Sequence, residues 1–144
     1  MKKKVRFVSL WGKIMSLVLA GVLLTGLLAG CGSKNSLADV FDEETVKKQA
    51  MDDITLAQSD DFEGWKNRFS LEVQSAVTED AYKNYLNTLD EKGTFKEFGR
   101  VAVVGQEQNG TNYAVAVVIC KYENDDIKYT IAYDEQMNLI QFTI

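Results

Sequence analysis

Residues 99–122 read GRVAVVGQEQNGTNYAVAVVICKY, and the reading of this stretch decides the fold. Two runs rich in β-branched residues alternate with period two on either side of Asn109-Gly110. That dipeptide favours a two-residue hairpin turn, because both central positions need positive φ. The pattern predicts an antiparallel hairpin with strands over Phe95–Val104 and Tyr113–Tyr122. Two more alternating runs follow, Ile127–Tyr133 and Leu139–Ile144, set off by Glu123-Asn124-Asp125-Asp126 and Asp134-Glu135-Gln136-Met137-Asn138. Both separators are turn-forming in composition. Short turns between successive strands make a four-stranded antiparallel meander the simplest sheet.

Upstream of Gly93 the apolar period changes from two to that of a helix. Val46, Ala50, Ile54 and Ala57 lie on one face of a helix predicted over Asp42–Ala57, with Asp42, Glu43 and Glu44 where the helix dipole favours negative charge. A second, short helix starts at Asp60, which with Glu63 resembles a capping box, and carries Phe62, Trp65 and Phe69 as its stripe. The third runs from an N-cap at Thr78 to a C-cap at Gly93, with Tyr82, Tyr85, Leu86 and Leu89 facing the core. The expected class is therefore α+β, with N-terminal helices packed on a curved four-stranded antiparallel sheet. The second strand is apolar on both faces: Tyr113, Val115, Val117 and Ile119 on one, Ala114, Ala116, Val118 and Cys120 on the other. A strand covered on one side alternates more cleanly. Either the sheet curves around a pocket, or a partner covers its second face, or the small alanines fit beneath a close helix.

The first thirty residues have a different grammar. Lys2, Lys3, Lys4, Arg6 and Lys13 precede an apolar run from Ile14 to Leu28, which ends in Leu28-Ala29-Gly30-Cys31. Basic start, apolar middle and small-residue end are the order of a secretory signal. The last four residues resemble a bacterial lipobox. That resemblance implies lipid attachment to Cys31, cleavage between Gly30 and Cys31, and a mature protein held on the extracytoplasmic face of the cell membrane. Multiple acyl chains suffice for stable anchoring where one is marginal. The expected organisation is a signal peptide over 1–30, a lipidated cysteine and tether over 31–41, and one α+β domain over 42–144.

Composition narrows the chemistry. Residues 1–30 hold five cations and no acids, so the remainder keeps 11 cationic against 21 acidic side chains, a net charge of −10. Such a balance repels phosphate backbones, so nucleic acid is not an expected partner. The chain has no histidine, which removes the commonest general base and the usual catalytic triads and zinc sets. Of two cysteines, lipidation would consume Cys31 and leave Cys120 as a small buried apolar residue. The acidic pairs Asp52-Asp53, Asp60-Asp61 and Asp125-Asp126 lack the spacing of a calcium loop and read as solvated turns and helix ends. Around Gly105 and Gly110 the residues of a phosphate loop are missing. No metal or cofactor is expected.

The string Phe62-Glu63-Gly64-Trp65, Phe69-Ser70, Leu71-Glu72-Val73, Thr78-Glu79-Asp80-Ala81-Tyr82, Gly93 and Tyr133-Asp134-Glu135 resembles a domain of unknown function found in lipoproteins and exported enzymes of Gram-positive bacteria. That domain is related to the cystatin-like, or nuclear-transport-factor-2-like, fold. The resemblance implies a helix-on-sheet cone and an accessory role, and brings no catalytic residues to transfer. If the sheet forms a cavity, Arg100, Tyr113, Tyr129 and Tyr133 are the candidates for polar tips in an aromatic lining. The expected function is a noncatalytic binding or interaction module, whose partner is an envelope protein or a small apolar ligand. The alternatives are a histidine-free cavity enzyme that uses carboxylate, Tyr or Arg side chains, and a structural spacer that forms a homodimer through its exposed sheet face.

Overall fold

A computed structural model describes residues 36–144. The expected signal segment, Gly30, Cys31 and the first part of the expected tether lie outside the described residues. Four helices precede the sheet: α1 Glu43–Ala57, α2 Phe62–Lys66, α3 Leu71–Gln74 and α4 Glu79–Lys92. The strands are β1 Phe95–Gln108, β2 Thr111–Tyr122, β3 Asp126–Tyr133 and β4 Leu139–Thr143, in the spatial order β1-β2-β3-β4. The α+β class and the antiparallel meander are as expected, and the sheet is open.

Local chemistry explains most helix boundaries. The Asp42 carboxylate accepts from the Thr45 N–H at 2.8 Å and so satisfies a free donor at the start of α1. Thr78 does the same for α4 by accepting from Ala81, and Gly93, at φ 82°, ends it. The second helix departs from expectation. Its N-cap is Asp61, which accepts from the Gly64 N–H at 2.9 Å, whereas Asp60 turns the chain with φ 62°. An additional short helix, α3, has no buried residue, and its Leu71 is 86% exposed. With no apolar stripe it left no periodic trace.

The β1–β2 hairpin closes through Asn109 and Gly110, both at positive φ. Strand β1 runs past its apolar stretch to Gln108, because Gly105 to Gln108 pair with Ala114 to Thr111. Ladder hydrogen bonds, not hydrophobicity, extend it. Register then sorts the faces: Ala114, Ala116, Val118 and Cys120 lie opposite Tyr133, Ile131, Tyr129 and Ile127. These eight residues are buried in one core with Val46, Ala50, Ile54 and Ala57 of α1. The alanines thus lie in the helix-covered layer, which is the close-packing alternative.

The packed region also begins before Asp42. Phe41 is buried in the core, and Leu37 and Ala38 pack against it. The segment passes so close to β1 that a Cβ on Gly105 would fall 2.1 Å from the Ser36 carbonyl oxygen. Glycine is required there for backbone approach.

Candidate functional site

The four sequence candidates do not converge. Arg100 is exposed, beside a register shift in β1 between Phe98 and Val101. Tyr113 is half-buried on the face of the sheet away from the helices. Only Tyr129 and Tyr133 share the inner face, and both are fully buried. Aromatic rings occupy the space around Tyr129: Trp65 lies edge-on to Phe69 and Phe142, stacks on Tyr82, and approaches Tyr85. Phe142 in turn meets Tyr129 at 5.5 Å between ring centroids.

Polar tips inside this aromatic mass pair with one another. The Tyr129 hydroxyl lies 2.9 Å from the hydroxyls of both Tyr85 and Tyr122. Burial pushes the pKa of all three phenols upward, so this chain of hydroxyls stays neutral. The neighbouring Cys120 thiol is pushed up to about 12 by burial and is not an activated nucleophile. Trp65 Nε1 is buried without a hydrogen-bond partner.

A second polar cluster had no counterpart in the sequence reading. Asp53, 1% exposed, sits on the buried stripe of α1. It accepts from Arg68 Nε at 2.6 Å, from Arg68 Nη2 at 3.1 Å, and from the Tyr133 hydroxyl at 2.7 Å. Arg68 also donates to the Met137 carbonyl at 2.9 Å. The backbone positions this arginine: Ser70 donates to the Leu139 carbonyl and Leu139 donates to the Arg68 carbonyl, so the segment after α2 lies along β4. The cluster joins α1, that segment, β3 and the β3–β4 turn. Expected as a solvated acid, Asp53 is instead buried, because Arg68 and Tyr133 supply three hydrogen bonds to its carboxylate. The hydrogen bond to Asp53 raises the Arg68 pKa, and burial raises that of Tyr133. Every hydrogen bond within this group is structural in kind, linking elements to one another.

The outer face of the sheet is different. Val115, Ala132 and Ile140 form a small buried cluster, with Val104 and Tyr113 packed against it, and among the described residues every member belongs to the sheet. An irregularity in the β3–β4 register helps to build it. Ala132 pairs with Gln141 and Tyr133 with Leu139, so Ile140 is an extra residue and joins the outer face. Gln141 is 6% exposed, and its side-chain oxygen has no partner. Beyond the hairpin end an open cleft of about 270 Å³ is lined by Ser36 to Asp39, Gln106, Glu107 and Asn112. Among the described residues no group of three or more acidic or cysteine side chains is placed to hold a metal ion. None of their helices is long and apolar enough to cross a membrane.

Sequence comparison adds kinship without chemistry. Search of the curated proteins gives no match. Among solved structures the chain is similar to the NMR structure of a protein from Ruminococcus gnavus ATCC 29149, with 46% sequence identity and a TM-score of 0.71. That similarity covers 77% of this chain and 97% of the other. The description "Protein of unknown function (DUF3887)" matches residues 50–142, which run from the middle of α1 to the end of the sheet. By that match the chain belongs to the DUF3887 family.

Proposed function

We propose that this protein is a lipid-anchored extracytoplasmic lipoprotein whose α+β domain is a noncatalytic interaction module of cystatin-like type. The observation that carries the interaction reading is the outer-face cluster of Val104, Tyr113, Val115, Ala132 and Ile140, which among the described residues contains sheet residues alone. A sheet face that meets only solvent alternates toward polar side chains, and one that keeps valine, isoleucine and tyrosine is suited to a partner. The inner face supports the same reading from the other side. Its tyrosine hydroxyls and its buried carboxylate are engaged with one another or with Arg68. The anchoring reading is supported by the sequence pattern from Lys2 to Leu28, basic then apolar, and by Leu28-Ala29-Gly30-Cys31.

Two measurements on the full chain test the two halves. Cys31→Ser should shift the protein from the membrane fraction to the soluble fraction or leave it unprocessed. Unchanged processing and membrane retention would remove the lipoprotein reading. Native mass spectrometry of the chain, purified gently from its own cell envelope, should show an added companion mass that Val117→Glu removes. A bare monomer for both proteins would overturn the interaction module.

A further inference from the structure

We infer that the anchored protein stands on its β1–β2 hairpin, with the turn at Asn109-Gly110 resting in the lipid headgroup layer and the opposite end of the sheet turned away from the membrane. This inference rests on the lipoprotein reading and adds an orientation to it. Chain length supplies the first argument. Ser36 lies with its carbonyl against Gly105 of β1, and Leu37, Ala38 and Phe41 continue from it into the core. Residues 32–35 alone then separate Ser36 from the cysteine expected to carry the lipid. The five peptide steps from Cys31 to Ser36 span at most about 18 Å, at about 3.5 Å each.

Sheet geometry turns that reach into a posture. Pairing of β2 with β3 ends at Ala114 and Tyr133, and the hairpin projects three rungs further, through Gln106–Tyr113, Glu107–Asn112 and Gln108–Thr111. At about 3.4 Å per residue the turn at Asn109 lies about 14 Å beyond Gly105, and the start of β1 at Phe95 lies about 34 Å in the other direction. A span of about 18 Å therefore lets the turn touch the bilayer with little slack. It cannot set the opposite end there, because Ser36 would then stand about 34 Å above the surface.

Composition favours the same contact. Gln106 to Asn112 include one charged residue, Glu107, and no apolar side chain. Asp39 and Glu135 are the acids beside them. The exposed Asn109 amide and Thr111 hydroxyl can donate to the phosphate and ester oxygens of the headgroups, and polar groups stay out of the hydrocarbon below. Lying on the helices would instead press the exposed Glu43, Glu44, Asp52, Glu79 and Asp80 against phosphates. Lying on the outer sheet face would bring Arg100, Lys121 and Lys128 to the lipid together with Glu97 and Asp126, and would cover the cluster on which the interaction reading rests. A standing domain keeps both flanks accessible to a partner beside the membrane.

Fluorescence quenching tests this on the full chain, processed by its own cells and reconstituted in phosphatidylcholine vesicles whose headgroups carry a spin label. Thr111→Cys beside the turn and Asn124→Cys at the opposite end each take a thiol-reactive fluorophore, and both positions are exposed. Cys120 is fully buried, and the lipid occupies Cys31, so the dye goes to the new thiol. The dye at Thr111→Cys should lose most of its emission, and the dye at Asn124→Cys should keep its own. Equal quenching at the two positions, as a flat posture gives, or no quenching at Thr111→Cys overturns the inference. Mass spectrometry of the same samples separates the two readings. A lipid on Cys31 without selective quenching overturns the posture and leaves the anchor standing, whereas a chain without lipid removes both.

Discussion

At the scale of single residues, Asp53 is the costliest position to disturb. Capping interactions such as those of Asp42 and Thr78 contribute about 1 kcal/mol each. A carboxylate buried to 1% exposure with a single cationic partner stands in another range. Arg68→Ala would leave that charge with only the Tyr133 hydroxyl, and breaking a buried pair from one side costs about 3–5 kcal/mol. Tyr133→Phe removes one hydrogen bond to a charged group and should cost about 1.5–3 kcal/mol. Urea unfolding of the two variants checks both the sizes and the order. If Tyr133→Phe proved the more damaging, the carboxylate would be held mainly by its phenol rather than by Arg68. None of this was legible in the sequence. Asp53 lies beside Asp52 in what reads as an exposed pair, and its partners stand 15 and 80 residues away.

At the scale of elements, the segment before α1 belongs to the domain. Phe41 is 8% exposed, and residues 36–37 lie against Gly105 of β1, where the absence of a Cβ permits the approach. Phe41→Ala in the full chain should therefore destabilise it by about 3–5 kcal/mol, as buried phenylalanine truncations do. Thermal unfolding followed by circular dichroism measures this. A shift within error of wild type would return Leu37 to Phe41 to the tether. The sequence placed the boundary at Asp42 because a helix cap is a strong local signal. A lone phenylalanine ahead of the cap has no periodicity to announce it. The same reasoning explains α3, in which Val73 packs against the core but none of the four residues is fully buried, and the N-cap at Asp61, which adjoins the equally suitable Asp60.

At the scale of the whole molecule, the buried phenols tie stability to alkaline pH. Burial raises the pKa of Tyr85, Tyr122, Tyr129 and Tyr133 above the usual value near 10. The folded state therefore holds their protons more tightly than the unfolded chain. Their contribution is complete below about pH 10 and is lost as pH rises beyond it. Phenolate absorbance of these groups should rise together with loss of structure, and Cys120 should become reactive to a thiol reagent in the same step. Gradual ionisation of all the tyrosines near pH 10 in a still-folded protein would show the hydroxyl chain to be open to solvent. What the sequence determined by itself was local: strand alternation, the Asn109-Gly110 turn and two helix caps, each written within a few neighbouring residues. Only the tertiary structure decided which side of β2 faces the helices, because both of its faces are apolar and the local pattern is degenerate. The choice falls to size. Small Ala114 and Ala116 sit in the layer shared with the alanines of α1, and that places Val115 and Tyr113 on the face away from the described helices.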